Sequence, residues 1–452
     1  MCDARDDLWR GKRGGSGHPA PERRETREDM DVIKVEGGAT LSGTIQVEGA
    51  KNSALKLMAA TIMAPGVYHL TRMPDISDVH LMGSVLETLG AVVTHEGHSI
   101  TIDTTGVDKW VTPYELVSRM RASITVLGPL LVRFGKAVVA MPGGCNIGAR
   151  SIDQHLVGLE ALGVTFENAH GYIHAEASEG MRGTMVTLDF PSVGATENVM
   201  MASVGAKGTT IIENAAREPE IVDLAHMLIA MGADITGEGT PIIEVHGGAS
   251  LHACDHECVG DRIEAGTFLV AGALCGDHLT VEGFDPNHLD IPLRKMEMMG
   301  VPLTRKADSV TVSRAPHLVP IDVQTLPYPG FPTDMQAQFM TLDCLADGTS
   351  YITENVFENR FMLVAELVRM GASIRVEERH ALVKGPCKLS GAQVKSPDLR
   401  GGAALVLAGL VADGTTYVSG THHIARGYER FTDKLSAVGA TCYHEDVPSP
   451  EE

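Results

Sequence analysis

The chain has 452 residues, 44% hydrophobic and 21% charged, which is the composition of a soluble globular protein long enough for two cores of about 200 residues each. A formal net charge of −21 at pH 7 argues against nucleic acid as the partner, because a phosphate backbone needs a basic footprint. No run approaches the ~18 apolar residues of a membrane span, no signal-peptide h-region opens the chain, and the scattered cysteines suit a reducing cytoplasm better than a disulfide framework.

The acidity carries a second consequence: an anionic ligand would need a local positive island, built by few side chains against the global field. Residues 1–29 are polar and rich in Arg, Gly and Pro, and read as a disordered tail. Met30 precedes the alternating stretch 32–36, the first predicted strand, and reads as an alternative start. Lys51 and Asn52 open the first predicted helix. Two readings stand there: the pair binds an anion together with the free helix amides, or Asn52 simply caps the helix.

Arg121 lies in the apolar run 120–131. It is followed by the segment 141–154, MPGGCNIGARSIDQ, in which Gly143, Gly144 and Gly148 surround Cys145. Glycine opens backbone angles closed to other residues, so the loop is a candidate lid. Arg150 stands five residues after Cys145, and a cation beside a thiol lowers its pKa and raises its reactivity. A thiol, two guanidiniums and a hinged loop suggest chemistry on a small anion; the plain alternative is a Gly-rich turn carrying a cysteine.

The body is a repeat. An apolar helix ending in a Gly–Ala or Gly–Val step occurs six times, at Gly90, Gly163, Gly232, Gly300, Gly371 and Gly439, spaced roughly 70 residues apart. Glycine there is a helix C-cap in left-handed conformation, and a short alternating strand follows each one. Between these recur helices of small residues that lead through a Gly-marked turn into a strand, as in 198–206, 266–274 and 403–411. Each unit thus holds two helices and four strands and is too small for a core of its own, so the units should pack three to a domain. The sixth unit lacks a strand after residues 440–444, and the N-terminal strand 32–36 is a spare of the right type. The chain is therefore expected to close on itself and to cross between domains near residues 49–51 and 259–262, with a ligand cleft between the two hinged bodies.

His252, Cys254, His256 and Cys258 alternate along one segment and look like a zinc set. In a strand the outer two would lie about 20 Å apart, whereas zinc needs its donors within about 2.3 Å. By register the segment corresponds to the repeat strands at 41–47 and 389–394, so no metal is assigned. Asp334, in GFPTDMQAQF, is either a negative charge at a helix start or a general base facing the cleft. Arg400 in DLRGG and Arg426 in RGYER each stand at a predicted helix start, where a cation opposes the macrodipole and suggests an anionic partner.

Collinear motifs then carry a resemblance: GAKNSAL at Gly49, MRASI at Met120, GGCNIGAR at Gly143, SVGATEN at Ser192, AAREPEIVDLA at Ala215, DRIEAGTFLVAGAL at Asp261, FPTDMQAQ at Phe331, ENVFENRF at Glu354, DLR at Asp398 and RGYER at Arg426. From about Met30 to Glu445 the chain resembles the UDP-N-acetylglucosamine 1-carboxyvinyltransferases, enolpyruvyl transferases of peptidoglycan precursor synthesis. The resemblance implies an α/β fold, a two-domain inside-out α/β barrel of six βαβαββ repeats, three per domain. The domains would span 51–259, and 30–50 plus 260–447. It implies phosphoenolpyruvate and UDP-N-acetylglucosamine as substrates, a cytoplasmic enzyme, and no metal or organic cofactor; oligomeric state is left open.

The implied catalytic residues are Cys145, proton donor to the methylene carbon, and Asp334, acceptor of the sugar 3-hydroxyl proton. Lys51, Asn52, Arg121, Arg150, Arg400 and Arg426 would hold phosphoenolpyruvate. Arg121, Arg150, Ser151, Ile152, Asp153, Gln154, Ser192, Val193, Gly194, Asp334 and Val356 would hold the sugar nucleotide. The tail has no counterpart in the family pattern, and Phe190 and Pro191 precede Ser192 where some members carry a basic residue. Two other readings stand: a shikimate-pathway enolpyruvyl transferase, which lacks the loop thiol, and a non-catalytic sugar-nucleotide-binding paralogue.

Overall fold

The computed structural model describes residues 29–117, 121–141 and 152–448. All six predicted cap glycines take left-handed backbone angles, with φ between 89° and 113°. The helices they end include Ser77–Leu89, capped by Gly90, whose N–H groups and those of Ala91 return to the last-turn carbonyls.

Among the described residues the strands form six sheets, five of four strands and one of three. They share one order. In the third, Met185–Thr187 runs parallel to Gly208–Glu213, which pairs antiparallel with Ile242–Gly247, and that strand in turn with Asp234–Thr236. The three-stranded sheet, Lys136–Ala140 with Tyr172–Glu176 and Thr165–Ala169, departs from the expected four. A single parallel bridge, Val111 to Val138, stands where its fourth strand would lie.

Chain closure is as expected. The strand Asp29–Glu36 inserts between Thr415–Ser419 and Cys442–Pro448, antiparallel to both. It begins at Asp29, earlier than the alternating pattern from Val32 indicated, because Asp29 and Met30 find partners in Pro448 and Val447. The strand Asp255–Glu257, within the His/Cys segment, pairs parallel with Val67–Thr71, just as Leu41–Gln46 pairs with Gly276–Glu282 and Gln393–Lys395 with Thr415–Ser419. That segment is therefore a repeat strand. Its side chains scatter accordingly: His256 Nε2 lies 2.8 Å from Asp223, and the Cys258 Sγ is buried near the Ala50 carbonyl.

Buried apolar residues form two clusters, one drawn from residues 54–258, the other from 33–47 and 263–442. In the second, helices Arg262–Cys275, Gln336–Leu345 and Leu399–Val411 are buried on nearly every residue and pack on one another. The strands outside them bury alternate residues only, as in Thr415–Ser419. Helices inside and half-exposed sheets outside explain why these helices show no amphipathic stripe: both of their faces meet apolar neighbours. The chain passes between clusters along two adjacent segments, joined by Ala50 N–H to Val259 O at 2.6 Å and Asp261 N–H to Glu48 O at 2.9 Å. Gly49 and Gly260 bridge there, and a Cβ on either would fall about 2 Å from a backbone oxygen, of Arg72 or of Gly283.

Candidate active site

A cavity of about 880 Å³ lies between the two clusters and takes its walls from both. Helix Lys51–Ala60 enters it directly after one crossing. Its N-cap is Ala50, with no side-chain cap, so Asn52 does not cap the helix. Asp261, from the other crossing, accepts the Lys51 backbone N–H at 3.2 Å. Both Lys51 and Asn52 line the cavity.

Lys51 Nζ reaches Asp78 Oδ2 at 2.8 Å, and Arg426 clasps the same carboxylate through Nε at 3.0 Å and Nη2 at 3.3 Å. Asp78 sits in the first turn of helix Ser77–Leu89, where its charge also agrees with the helix dipole. Burial lowers the pKa of Lys51 below the ordinary lysine value against the pull of Asp78, and Arg426 depresses it further. Burial works against the Asp78 carboxylate too, yet Lys51 and Arg426 hold it below the usual range. Arg426 itself ends a 3-10 helix, Thr421–Arg426, rather than starting a helix. The dipole argument for an anion there is therefore replaced by the Asp78 clasp. Asp78 has no signal in the sequence beyond an acid near a helix start.

Arg400 is in the first turn of helix Leu399–Val411, as expected, and Asp398 caps that helix by accepting the N–H groups of Arg400 and Gly401 at 2.9 and 3.1 Å. Its Nη2 meets Asp334 Oδ2 at 3.2 Å, while Nε and Nη1 are buried in the wall without a hydrogen-bond partner among the described residues. The guanidinium also packs over the Tyr428 ring, 5.2 Å from its centroid, which helps to fix the nitrogen that reaches Asp334. Asp334, on the 3-10 turn Thr333–Met335, is also held by the buried Arg360. Neither a bare helix charge nor a solvated acid, it is a carboxylate fixed by two guanidiniums at the cavity wall. Arg360 lies inside the ENVFENRF motif, but nothing in that string distinguishes it from a surface arginine.

Glu354 is buried and explains the position of Val356. Its Oε1 accepts the Val356 and Phe357 N–H groups at 2.8 and 3.0 Å and the Thr325 hydroxyl at 2.8 Å, and its Oε2 accepts the Thr333 hydroxyl at 2.9 Å. One carboxylate thus ties the Val356 loop to the Asp334 turn. Opposite, Ser192 caps helix Val193–Val204 by accepting the Ala195 N–H at 3.4 Å, and Val193 and Gly194 form its first turn at the cavity. A Cβ on Gly194 would fall 2.8 Å from the His155 ring. His155 is fixed in turn by Asn198, whose Nδ2 lies 2.8 Å from its Nδ1. The Gln154 amide, turned to match, spans the Phe190 backbone at 2.7 and 3.3 Å.

Of the predicted residues, Lys51, Asn52, Asp153, Gln154, Ser192, Val193, Gly194, Asp334, Val356, Arg400 and Arg426 line this one cavity. Ile152 does not; it is buried at the N-cap of helix Asp153–Ala161. Gly143, Gly144, Cys145, Gly148, Arg150 and Ser151 lie outside the described residues, as does the side chain of Arg121, whose backbone opens a 3-10 helix. No group of three or more potential metal ligands occurs among the described residues, nor any helix long and apolar enough to cross a membrane.

Asp78→Asn tests the clasp. Two cations would lose their shared carboxylate, with a loss of about 2–3 kcal/mol at pH 7, somewhat below a fully buried pair because Arg426 keeps contact with cleft water. The folded-state pKa of Asp78 is depressed, so the stabilisation is present above the ordinary aspartate pKa and vanishes as pH falls through the lowered value. Denaturant curves of both proteins should converge in acid; a gap independent of pH would refute the clasp.

Comparison with known proteins gives a uniform picture. The profile of the family described as EPSP synthase (3-phosphoshikimate 1-carboxyvinyltransferase) matches residues 35–435. The chain is 50% identical over 411 residues to the UDP-N-acetylglucosamine 1-carboxyvinyltransferase of Geotalea uraniireducens, covering 91% of this chain and 98% of that one. It is 50% identical over 412 residues to UDP-N-acetylglucosamine 1-carboxyvinyltransferase 1 of Halalkalibacterium halodurans, covering 91% and 94%. Among solved structures, the enolpyruvyl transferase NikO from Streptomyces tendae superposes with a TM-score of 0.84 at 28% identity, over 93% of this chain and all of that one. EPSP synthase from Acinetobacter baumannii shares the fold, with a TM-score of 0.71 at 18% identity over 92% and 100% of the two chains.

Proposed function

Because the chain belongs to the EPSP synthase family of enolpyruvyl transferases, we propose that it transfers the enolpyruvyl group of phosphoenolpyruvate to the 3-hydroxyl of UDP-N-acetylglucosamine with release of phosphate. This is the first committed step of peptidoglycan precursor synthesis, and it belongs in the cytoplasm. The observation that carries the reading is one cavity that gathers Lys51, Asn52, Arg400, Arg426 and Asp334 around the helix start at Ser192, in a chain half-identical to proteins of that name.

The chemistry follows from the residue types. Protonation of the methylene carbon C3 by Cys145 makes C2 electrophilic, and the sugar hydroxyl adds to C2 as Asp334 takes its proton, giving a tetrahedral ketal. Phosphate then leaves C2 while C3 returns its proton, and the enol ether is restored. Guanidiniums suit the carboxylate and phosphate of the first substrate; Lys51, Asn52, Arg400 and Arg426, with Arg121 and Arg150, take that role. Residues 150–154 and Ser192, Val193 and Gly194 take the uridine diphosphate, where the amides of a helix start favour an anion, and Val356 takes the sugar. The two apolar clusters are read as domains spanning 51–259 and 30–50 plus 260–447, hinged where Gly49 faces Gly260.

The test is phosphate release from phosphoenolpyruvate with either UDP-N-acetylglucosamine or shikimate 3-phosphate as acceptor. Release with the sugar nucleotide alone is expected. Release with shikimate 3-phosphate alone would transfer the chain to the other branch of the family, and release with neither would leave a binding protein.

A further inference from the structure

The cleft contains a charge pair that the reaction does not use. Glu197, on helix Val193–Val204, is fully buried, and neither of its carboxylate oxygens has a hydrogen-bond partner among the described residues. Lys56 stands beside it, Nζ 3.4 Å from Oε1, and donates instead to the Asn52 carbonyl at 2.8 Å. Both side chains line the cavity. The carboxylate is thus held by one ion pair in a buried site where desolvation works against its charge, so Lys56 and the ionisation of Glu197 are coupled.

We propose that Lys56 and Glu197 are positioning residues that set the anion affinity of the Lys51–Asn52 subsite: Lys56 adds a positive charge below it, and Glu197 cancels that charge to the extent that it is ionised. Lys56 follows Lys51 by five residues on one helix, about 7–8 Å of rise, close enough for its charge to be felt through the protein. Lys56 also fixes the carbonyl of Asn52, so its position and the helix start move together.

The surrounding groups allow Glu197 to titrate near neutrality. Burial raises its carboxyl to about 7; Lys56 opposes the rise, and Glu220 and Glu218 at the start of helix Pro219–Ala230 add to it. Arg262 is taken up by Glu220, with Nε to Oε1 at 3.1 Å. His155, from helix Asp153–Ala161, meets the neighbouring Asn198 rather than the Glu197 carboxylate. The sign is then fixed: below the Glu197 titration the subsite carries the full Lys56 charge and binds anions more tightly, and above it the charge is cancelled.

The inference rests on the proposed reading of this cavity as the anion site, and its test does not need turnover. Sulfate, doubly charged throughout, would be titrated calorimetrically into the full chain at about pH 6 and about pH 8.5, on either side of the Glu197 titration. Wild type should lose roughly three- to tenfold more sulfate affinity over that interval than Glu197→Gln, which cannot ionise. Lys56→Met, which keeps the stem, should bind sulfate several-fold more weakly at the acid pH. In turnover, the KM for phosphoenolpyruvate should follow the same pattern, while the ratio of wild-type to variant kcat stays constant with pH. Equal pH dependence in wild type and Glu197→Gln, or an unchanged sulfate affinity in Lys56→Met, would overturn the proposal. Absence of phosphate release by wild type would instead overturn the reading of the reaction, with the sulfate comparison still decisive for the pair.

Discussion

Asp334→Asn should lower kcat by about 10²–10⁴-fold, the usual worth of a positioned general base. An amide keeps the size of the side chain and one acceptor oxygen for Arg360 or Arg400, so the turn Thr333–Met335 should stay in place, with Glu354 still holding Thr333. What the amide cannot do is take a proton from the sugar hydroxyl. The second consequence is electrostatic. Arg360 and Arg400 would lose a shared countercharge, leaving the wall more positive, so the KM for phosphoenolpyruvate should fall or stay level while kcat drops. Steady-state phosphate release with both substrates varied separates the two effects. A variant within threefold of wild-type kcat, or a loss confined to KM, would make Asp334 a structural anchor for its arginines.

How much of this arrangement was legible depended on what kind of signal each residue leaves. The six cap glycines and the spare strand at residues 32–36 were readable because backbone requirements write directly into sequence: a left-handed cap wants glycine, and a missing strand leaves an unpaired edge. Arg400 was readable as a cation at a helix start, and the structure places it there behind the Asp398 cap. Arg426 was placed in the cleft for the wrong local reason, because it closes a 3-10 turn and does not start a helix; for Asn52 it was the capping alternative that failed, because Ala50 occupies the cap position. Asp78, Arg360 and Glu354 were missed. Their roles exist only in three dimensions, as counter-ions and turn ties contributed by residues far apart in sequence, and a lone acid at a helix start reads as a dipole charge. The same holds for Lys56 and Glu197, separated by more than two repeats in the chain yet facing each other across the wall.

Cys145→Ser should reduce turnover by roughly 10²–10⁴-fold, and Cys145→Asp should not. Cys145 lies outside the described residues, and the expectation follows from the acidity of each side chain. A thiol with an ordinary pKa near 8.5 is largely protonated at neutral pH and can deliver a proton to the methylene carbon. Arg150 follows it by five residues in the sequence, and a cation beside the thiol would favour the thiolate and make the residue alkylatable by small electrophiles; the phosphate of a bound substrate would push the other way and restore the proton when it is needed. A serine hydroxyl is too weak an acid to replace it. A carboxyl, ordinarily near 3.9, can donate once the bound anions raise its pKa. Its protonated fraction grows toward acid, so the optimum of the Asp variant should shift to lower pH while its sensitivity to alkylation disappears. The measurement is a pH–rate profile of wild type and both variants, with phosphate release as readout and preincubation with an alkylating agent as a second arm. A serine variant as active as wild type, or an aspartate variant whose profile does not move, would remove Cys145 from the proton-donor role and leave the acid to be found elsewhere in the cleft.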